Sequence, residues 1–231
     1  MLHEQEPTDY QENTPEGDTP PLPDDNRTPH VRPPDMPAIA PKRPPPEQHP
    51  LIKPDMLIRA GVGLGAVMII LAAGWTGLIR GRNLWAALHI GDAWQLLPGV
   101  GAGILFAWLV WRLGQNMPAA QQIVRMLAST LDLNALTVRH VLIISVLAAI
   151  PEELLFRGAI QPDLGLLGAA LIFGVLHALT RAYLIYATVA GLMLGIMFAA
   201  TGSLWMPIGA HFAVDVVMFV LLLHRRNHHI A

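Results

Sequence analysis

The chain has no cysteine among its 231 residues, which excludes thiol nucleophiles, cysteine metal sites and disulfide bridges. Charge is scarce as well: 14% of residues are charged, and the formal net charge of -2 by itself says nothing about nucleic acid, which is not expected as a partner. The first twenty residues lack a basic start followed by an apolar run. No cleavable signal peptide is therefore expected, and the first apolar span directs insertion itself. The sharpest shortage is of carboxylates. Beyond Asp55 only Asp92, Asp132, Glu152, Glu153, Asp163 and Asp215 remain.

What is present divides into two unlike parts. Residues 1 to about 56 hold fifteen of the twenty prolines and eleven of the seventeen acidic residues. Such a segment has too few large apolar side chains to offset its chain entropy, which predicts a disordered, partly polyproline-like tail. Pro33-Pro34 and Pro44-Pro45-Pro46 are of the kind that SH3-like or WW-like modules bind, but a solvated spacer is the preferred account. After the tail the sequence is apolar. A lipid core of about 30 Å needs some 20 apolar residues per helix, and six stretches qualify: Leu57 to Ile79, Leu96 to Leu113, Val138 to Ile160, Leu164 to Leu179, Tyr183 to Thr201 and Ser203 to Leu223. The second and fourth are short, which leaves five spans or a re-entrant segment open. The fold class expected is all-α, a polytopic transmembrane bundle of about six spans.

With six spans and a cytoplasmic N-terminus, the inner side collects Lys42, Arg43, Lys53, Arg59, Arg112, Arg125, Arg139, Arg181, Arg225 and Arg226. Arg80, Arg82 and Arg157 are left for the outer side, a bias that predicts both termini in the cytoplasm. Met117 to Thr137 reads as an amphipathic helix on the inner surface, with Ile123, Val124, Met126, Leu127, Leu131 and Leu133 on its apolar side. The pairs Gly61 and Gly65, Gly99 and Gly103, and Gly191 and Gly195 permit close helix contact. Packing within one bundle explains them, and the oligomeric state is left open. The closing His224-Arg-Arg-Asn-His-His229 reads as a basic flank.

Ionisable side chains are costly in a bilayer and mark cavities or partners when they occur there. Four constellations stand in the apolar half: Glu152-Glu153 with Arg157, Phe173 with His177, His211 with Asp215, and Arg139-His140. The last lies at the expected inner end of the third span, where snorkelling explains it. Helical positions four apart share a face, so Glu153 reaches Arg157 while Glu152, about 100° round the helix, is free for chemistry. A carboxylate tuned by burial and a nearby cation suits a general base that takes a proton from water. A purely structural ion-pair network is the alternative. Pro151 removes one helical hydrogen bond and is expected to kink or restart the helix beside a cavity. Asp215 is expected to accept from one ring nitrogen of His211 and so fix the tautomer offered by the other. Counting from the span centres brings Glu152 and His211 within a turn of each other in depth, but places His177 roughly 12 Å away.

Together, Glu152-Glu-Leu-Leu-Phe-Arg157-Gly, Phe173-Gly-Val-Leu-His177 and His211-Phe-Ala-Val-Asp215 resemble the CPBP family of intramembrane endopeptidases, also called Abi or CAAX-protease-like proteins. The shared pattern is EExxxR, FxxxH and HxxxN or HxxxD in that order. It covers about Leu142 to Leu223. The resemblance implies a helical membrane bundle that hydrolyses a peptide bond of a membrane-associated peptide or protein in an embedded cavity. It implies Glu152 as the water-activating base, Glu153 and Arg157 as its support, and His177 and His211 at the reacting centre. Asp215 stands where many members have Asn, which keeps an acceptor and adds charge. The organisation expected is a tail over 1–56, spans and an amphipathic linker over 57–135, a catalytic membrane domain over 136–223, and a basic flank over 224–231.

No Ser or Thr stands within these motifs, so activated water is the economical nucleophile. His177 and His211 with a carboxylate match the three-ligand pattern of catalytic zinc. The metal-free version instead uses both histidines as donors to the oxyanion. A noncatalytic adaptor or scaffold is the alternative from another class. A transporter is disfavoured by the absence of repeated halves.

Overall fold

A computed structural model describes residues 51–228, with side chains through His224. The expected tail lies outside the described residues up to residue 50, as do the side chains of the basic flank beyond His224. The segment that is described begins helix α1, Pro54–Gly74, with Pro at the first helical position and Asp55 in the first turn. Both choices suit a helix start, since Pro lacks only an N–H that would be unpaired there. The chain then winds as a π-helix over Trp75–Ile79 and two 3-10 helices over Leu84–Leu88 and Ile90–Gln95. Helices α2, Leu96–Gly114, α3, Pro118–Thr130, and α4, Val138–Glu153, follow. A second π-helix, Leu154–Ile160, leads without a break into α5, Gln161–Leu176, and α6, Arg181–Thr201, and α7, Trp205–His228, complete the order. The described residues contain no strand, only an isolated parallel bridge between Ile52 and Leu131.

Five helical stretches are long and apolar enough to cross a bilayer, and the third, Val138–Leu176, has 39 residues. At 1.5 Å per residue that is about 58 Å, nearly twice a lipid core. The excess is explained by a reversal at Gly165, whose φ of 72° and ψ of 173° are non-helical and suit a residue without Cβ. Contacts with α6 demonstrate the reversal. Arg157 and Gln161 reach the carbonyls of Gly191 and Gly195, so this leg runs parallel to α6. After the turn, Leu166, Ala170 and the Gly174 backbone meet Gly195, Gly191 and Thr188, so the second leg runs antiparallel. The third and fourth expected spans are thus two legs of one hairpin. The fourth is a half-length leg of about 16 Å, from Leu166 to Leu176.

Glycines set how closely the legs approach. A Cβ on Gly99 or Gly103 would collide with the backbone of Met206 or Ala210, and one on Gly209 with that of Leu96, so α2 and α7 meet backbone to backbone. Gly65 receives the ring of Pro151 from α4, while Gly191 and Gly195 receive Ala170, Leu166 and Gln161. These pairs therefore serve contacts within the bundle.

One end of the bundle gathers the start of α1, the start of α4 and the end of α7. His140 lies 3.9 Å from Asp55, and Leu222 packs with Leu131, Leu133, Leu136 and Val141. The amphipathic stretch is shorter than expected, because the helix ends at Thr130. Leu131 leaves it with φ -96° and ψ 140°, and Leu131 and Leu133 enter this apolar cluster instead of continuing a surface helix. His140 has a local role that snorkelling does not describe. Its Nδ1 accepts from the backbone N–H of Thr137, whose hydroxyl in turn accepts from the N–H of His140, a reciprocal cap on α4. At the opposite end Asp163 accepts from Trp75, Arg80 and Arg82, fastening the hairpin turn to the end of the first leg. Arg157, counted with these outer cations, lies instead inside the bundle at 1% exposure.

Candidate active site

The site is built where the third leg changes its winding. The expected restart at Pro151 is displaced: α4 continues through Pro151 to Glu153, and π winding takes over from Leu154 to Ile160. The proline ring packs against Gly65 of α1. Isolated π turns are uncommon and recur at functional sites, because they redirect side chains without ending a helix. Cavities nevertheless adjoin the segment as expected, and Glu152 lines two of them.

Glu153 is a hub. Its side chain is fully buried, and its Oε1 accepts from Arg157 Nη1 at 3.0 Å and from His211 Nδ1 at 2.8 Å. Arg157 donates a second bond from Nη2 to the carbonyl of Gly191 at 3.0 Å, and its guanidinium carbon lies 4.9 Å from the centre of the Phe173 ring. Removing either partner from such a pair strands a buried charge, at a cost of about 3–5 kcal/mol. The tie from His211 to Glu153 corrects the expected one to Asp215. His211 Nε2 is 3.8 Å from Asp215 Oδ2, beyond hydrogen-bond reach, because the ring is drawn by Nδ1 toward the third leg.

Glu152 differs from its neighbour in accepting no hydrogen bond among the described residues, whereas Glu153 Oε1 accepts two; Oε2 of each is buried without a partner. The cationic or ring nitrogens nearest Glu152 Oε2 are His177 Nε2 at 3.6 Å and His211 Nε2 at 3.8 Å. Both imidazoles are oriented from behind. His177 Nδ1 lies 2.8 Å from the carbonyl of Phe173, an acceptor only, so Nδ1 carries the proton and donates it there. The Phe173 ring also stacks on His177, with centroids 4.3 Å apart and planes at 27°, and meets Phe156 edge-on. That is why a phenylalanine four residues before the histidine matters: its ring and its carbonyl both aim the imidazole. His211 Nδ1 likewise donates to the Glu153 carboxylate. Two Nε2 atoms and one carboxylate oxygen therefore face one another across gaps of 3.6 to 3.8 Å.

This corrects the depth expected for His177. Gly165 is 13 residues beyond Glu152 and 12 before His177, so the two legs of the hairpin rise and return by nearly equal lengths, about 18 to 20 Å. Centring the fourth span in the membrane misplaced its end.

These groups border a cavity of about 240 Å³ lined by Glu152, His177, Tyr183, Tyr186, His211 and Asp215 on its polar side, with Ile144, Met193 and Phe219 among its apolar walls. A smaller cavity of about 90 Å³ lies between α1 and α4, also touching Glu152. Glu152, Glu153, Arg157, His177, His211 and Asp215, singled out from the sequence, are all brought together. Tyr183 and Tyr186 were missed. The chain has three tyrosines, and the pairing of two of them three apart in an apolar run was the available signal. Among the described residues, no group of three or more His, Asp or Glu side chains is arranged as a metal site. The three-ligand zinc set expected from His177, His211 and a carboxylate therefore gains no support from this arrangement, and no step is derived through a metal.

Residues 134–217, which contain every one of these polar side chains, match the family model described as Type II CAAX prenyl endopeptidase Rce1-like. This stretch is similar to that family over less than half of the chain. The Rce1-like segment contains the EExxxR, FxxxH and HxxxD residues, so the resemblance read from the motifs holds over it. The chain is also 40% identical over 84 residues to the uncharacterized protein YpbD of Bacillus subtilis (strain 168), a match covering 35% of this chain and 44% of that protein. The chain thus matches less than half the length of this relative. No solved structure matches. With five helices apolar enough to span a bilayer, the Rce1-like segment belongs to an integral, multi-pass membrane protein.

Proposed function

We propose that this protein is an intramembrane peptidase that hydrolyses a peptide bond of a membrane-associated peptide or protein with a water activated by Glu152. The observation that carries the reading is the unpartnered Oε2 of Glu152, faced by two imidazole nitrogens in a cavity. A water seated there donates one hydrogen to Glu152 Oε2 and the other to an Nε2, which leaves its lone pair for a substrate carbonyl. Glu152 takes the proton as the water oxygen bonds to the carbonyl carbon. It returns that proton to the nitrogen of the scissile bond as the tetrahedral intermediate collapses to carboxylic acid and amine. General acid–base transfer of this kind contributes about 10²- to 10⁴-fold in rate. Glu153, Arg157 and Phe173 hold the reacting groups and take no proton.

The match to prenyl endopeptidases makes a prenylated C-terminal peptide the first substrate class to offer, with an unmodified transmembrane peptide as the second. The end of the bundle where α1 and α4 begin is read as cytoplasmic, following the excess of Lys and Arg there. The test is cleavage of both peptides in proteoliposomes by wild type and by Glu152→Gln, with folding matched by circular dichroism. Loss of cleavage in the variant is expected. Equal cleavage removes the catalytic reading and leaves a noncatalytic scaffold. Turnover that persists in chelator-treated, metal-free protein is also expected. Loss on chelation with recovery on adding zinc would recast the histidines as ligands.

A further inference from the structure

We propose that Tyr183 is a further catalytic residue, whose phenolic O–H donates a hydrogen bond to the oxyanion formed on the substrate carbonyl; this rests on the peptidase reading above. Hydrolysis through a tetrahedral intermediate needs a donor aimed at that oxygen, and the loss of one such donor costs about 10²- to 10³-fold in turnover. The obvious candidates have spent theirs. A neutral imidazole has one N–H. In His177 it lies on Nδ1 and is bound to the Phe173 carbonyl, and in His211 it lies on Nδ1 and is bound to Glu153. The Nε2 of a neutral ring then offers a lone pair, suited to hold the water, and donates only where the ring is an imidazolium. Asp215 borders the cavity as a carboxylate, an acceptor only when ionised. The remaining polar side chains on its wall are Tyr183 and Tyr186, and both are neutral O–H donors.

Of the two, Tyr183 stands beside the reacting groups. Its ring centroid is 6.4 Å from that of His177 and 5.8 Å from that of Tyr186. It lines the same cavity wall as Glu152, His177 and Asp215. Tyr186 lies one step back, its ring 6.4 Å from that of Phe106 on α2. The backbone at Tyr183 is fixed as well, because its N–H donates at 3.0 Å to the hydroxyl of Thr180, which caps α6. An element pinned at its first turn holds the phenol in place before substrate arrives, as a preorganised donor requires.

The experiment is steady-state kinetics of the full chain in proteoliposomes on a fluorogenic farnesylated peptide and an unmodified transmembrane peptide, for wild type, Tyr183→Phe, Tyr186→Phe and Glu152→Gln. Binding of a peptide aldehyde, which forms a tetrahedral adduct, is measured beside binding of the parent peptide. Tyr183→Phe is expected to lower kcat by about 100-fold with KM within about threefold, and to weaken the aldehyde far more than the peptide. Tyr186→Phe is expected to stay within about fivefold of wild type in kcat, as befits a ring that packs and does not react. Tyr183→Phe with wild-type kcat overturns the proposal and assigns the oxyanion to an imidazolium at His211 or His177. A fall in kcat accompanied by an equal loss of peptide affinity or by a lower melting temperature also overturns it, because a packing role moves those quantities together. If Glu152→Gln is as active as wild type, or wild type cleaves neither peptide, the peptidase reading itself fails. A dead Glu152→Gln beside a fully active Tyr183→Phe removes the tyrosine alone.

Discussion

Asp163 at one end of the bundle and Glu152 at its middle are both carboxylates set among cationic or ring nitrogens, yet their oxygens are treated differently. Asp163 is satisfied on both oxygens: Arg80 and Arg82 each donate at 2.9 Å, and the Trp75 indole joins them. Glu152 keeps an oxygen without a hydrogen bond, with two imidazole nitrogens 3.6 and 3.8 Å away. Full satisfaction fastens one turn to another, whereas a gap of that size leaves room for a reactant. A narrower contrast holds within one turn of helix: Glu153 Oε1 accepts from both Arg157 and His211, whereas among the described residues no hydrogen bond reaches Glu152, and Oε2 of each is buried without a partner. Proximity of opposite charges is therefore a poor guide to chemistry here, and donor distance is a better one.

The comparison can be broken at several points. The largest effect on stability is expected from Arg157→Ala, which leaves Glu153 buried and unpaired; unfolding in detergent should become easier by about 3–5 kcal/mol. A loss near zero would mean that the hub is not what holds the third leg. Phe173→Leu keeps the carbonyl that accepts from His177 and removes the ring stacked on it. Turnover should fall roughly tenfold with little change in stability, the scale of one aromatic pair. Unchanged turnover would show that the carbonyl alone aims the imidazole. The smallest effect is expected from Asp163→Asn, which weakens the clasp on Arg80 and Arg82. Its melting temperature should drop slightly and its turnover stay at the wild-type value, and a large loss of turnover would connect the clasp to the site.

Much of this was legible in the sequence because membrane burial makes polar residues expensive and so informative. The six legs followed from apolar run lengths, and the i,i+4 spacing of Glu153 and Arg157 already put both on one face. Other features depend on contacts between legs that spacing along one helix does not encode. His211 is oriented by Glu153, 58 residues away, and not by its own i+4 neighbour Asp215. The level of His177 was hidden because nothing in a run of Leu and Ala announces that Gly165 reverses the chain and leaves a half-length leg. Thr137 and His140 cap a helix through a reciprocal bond that a basic, membrane-edge reading passes over. Tyr183 and Tyr186 carry no motif, and their place on the cavity wall emerges only when α6 is packed beside the hairpin.

The contrast between neighbouring glutamates is tested most directly by measuring turnover and melting temperature side by side for Glu152→Gln and Glu153→Gln. The account predicts that Glu152→Gln melts like wild type and loses at least about 100-fold in turnover. It predicts that Glu153→Gln, which strips the charge facing Arg157, is destabilised whatever its activity. A Glu152→Gln protein that melts like wild type and turns over within about threefold of it would contradict the assignment of Glu152 as the base.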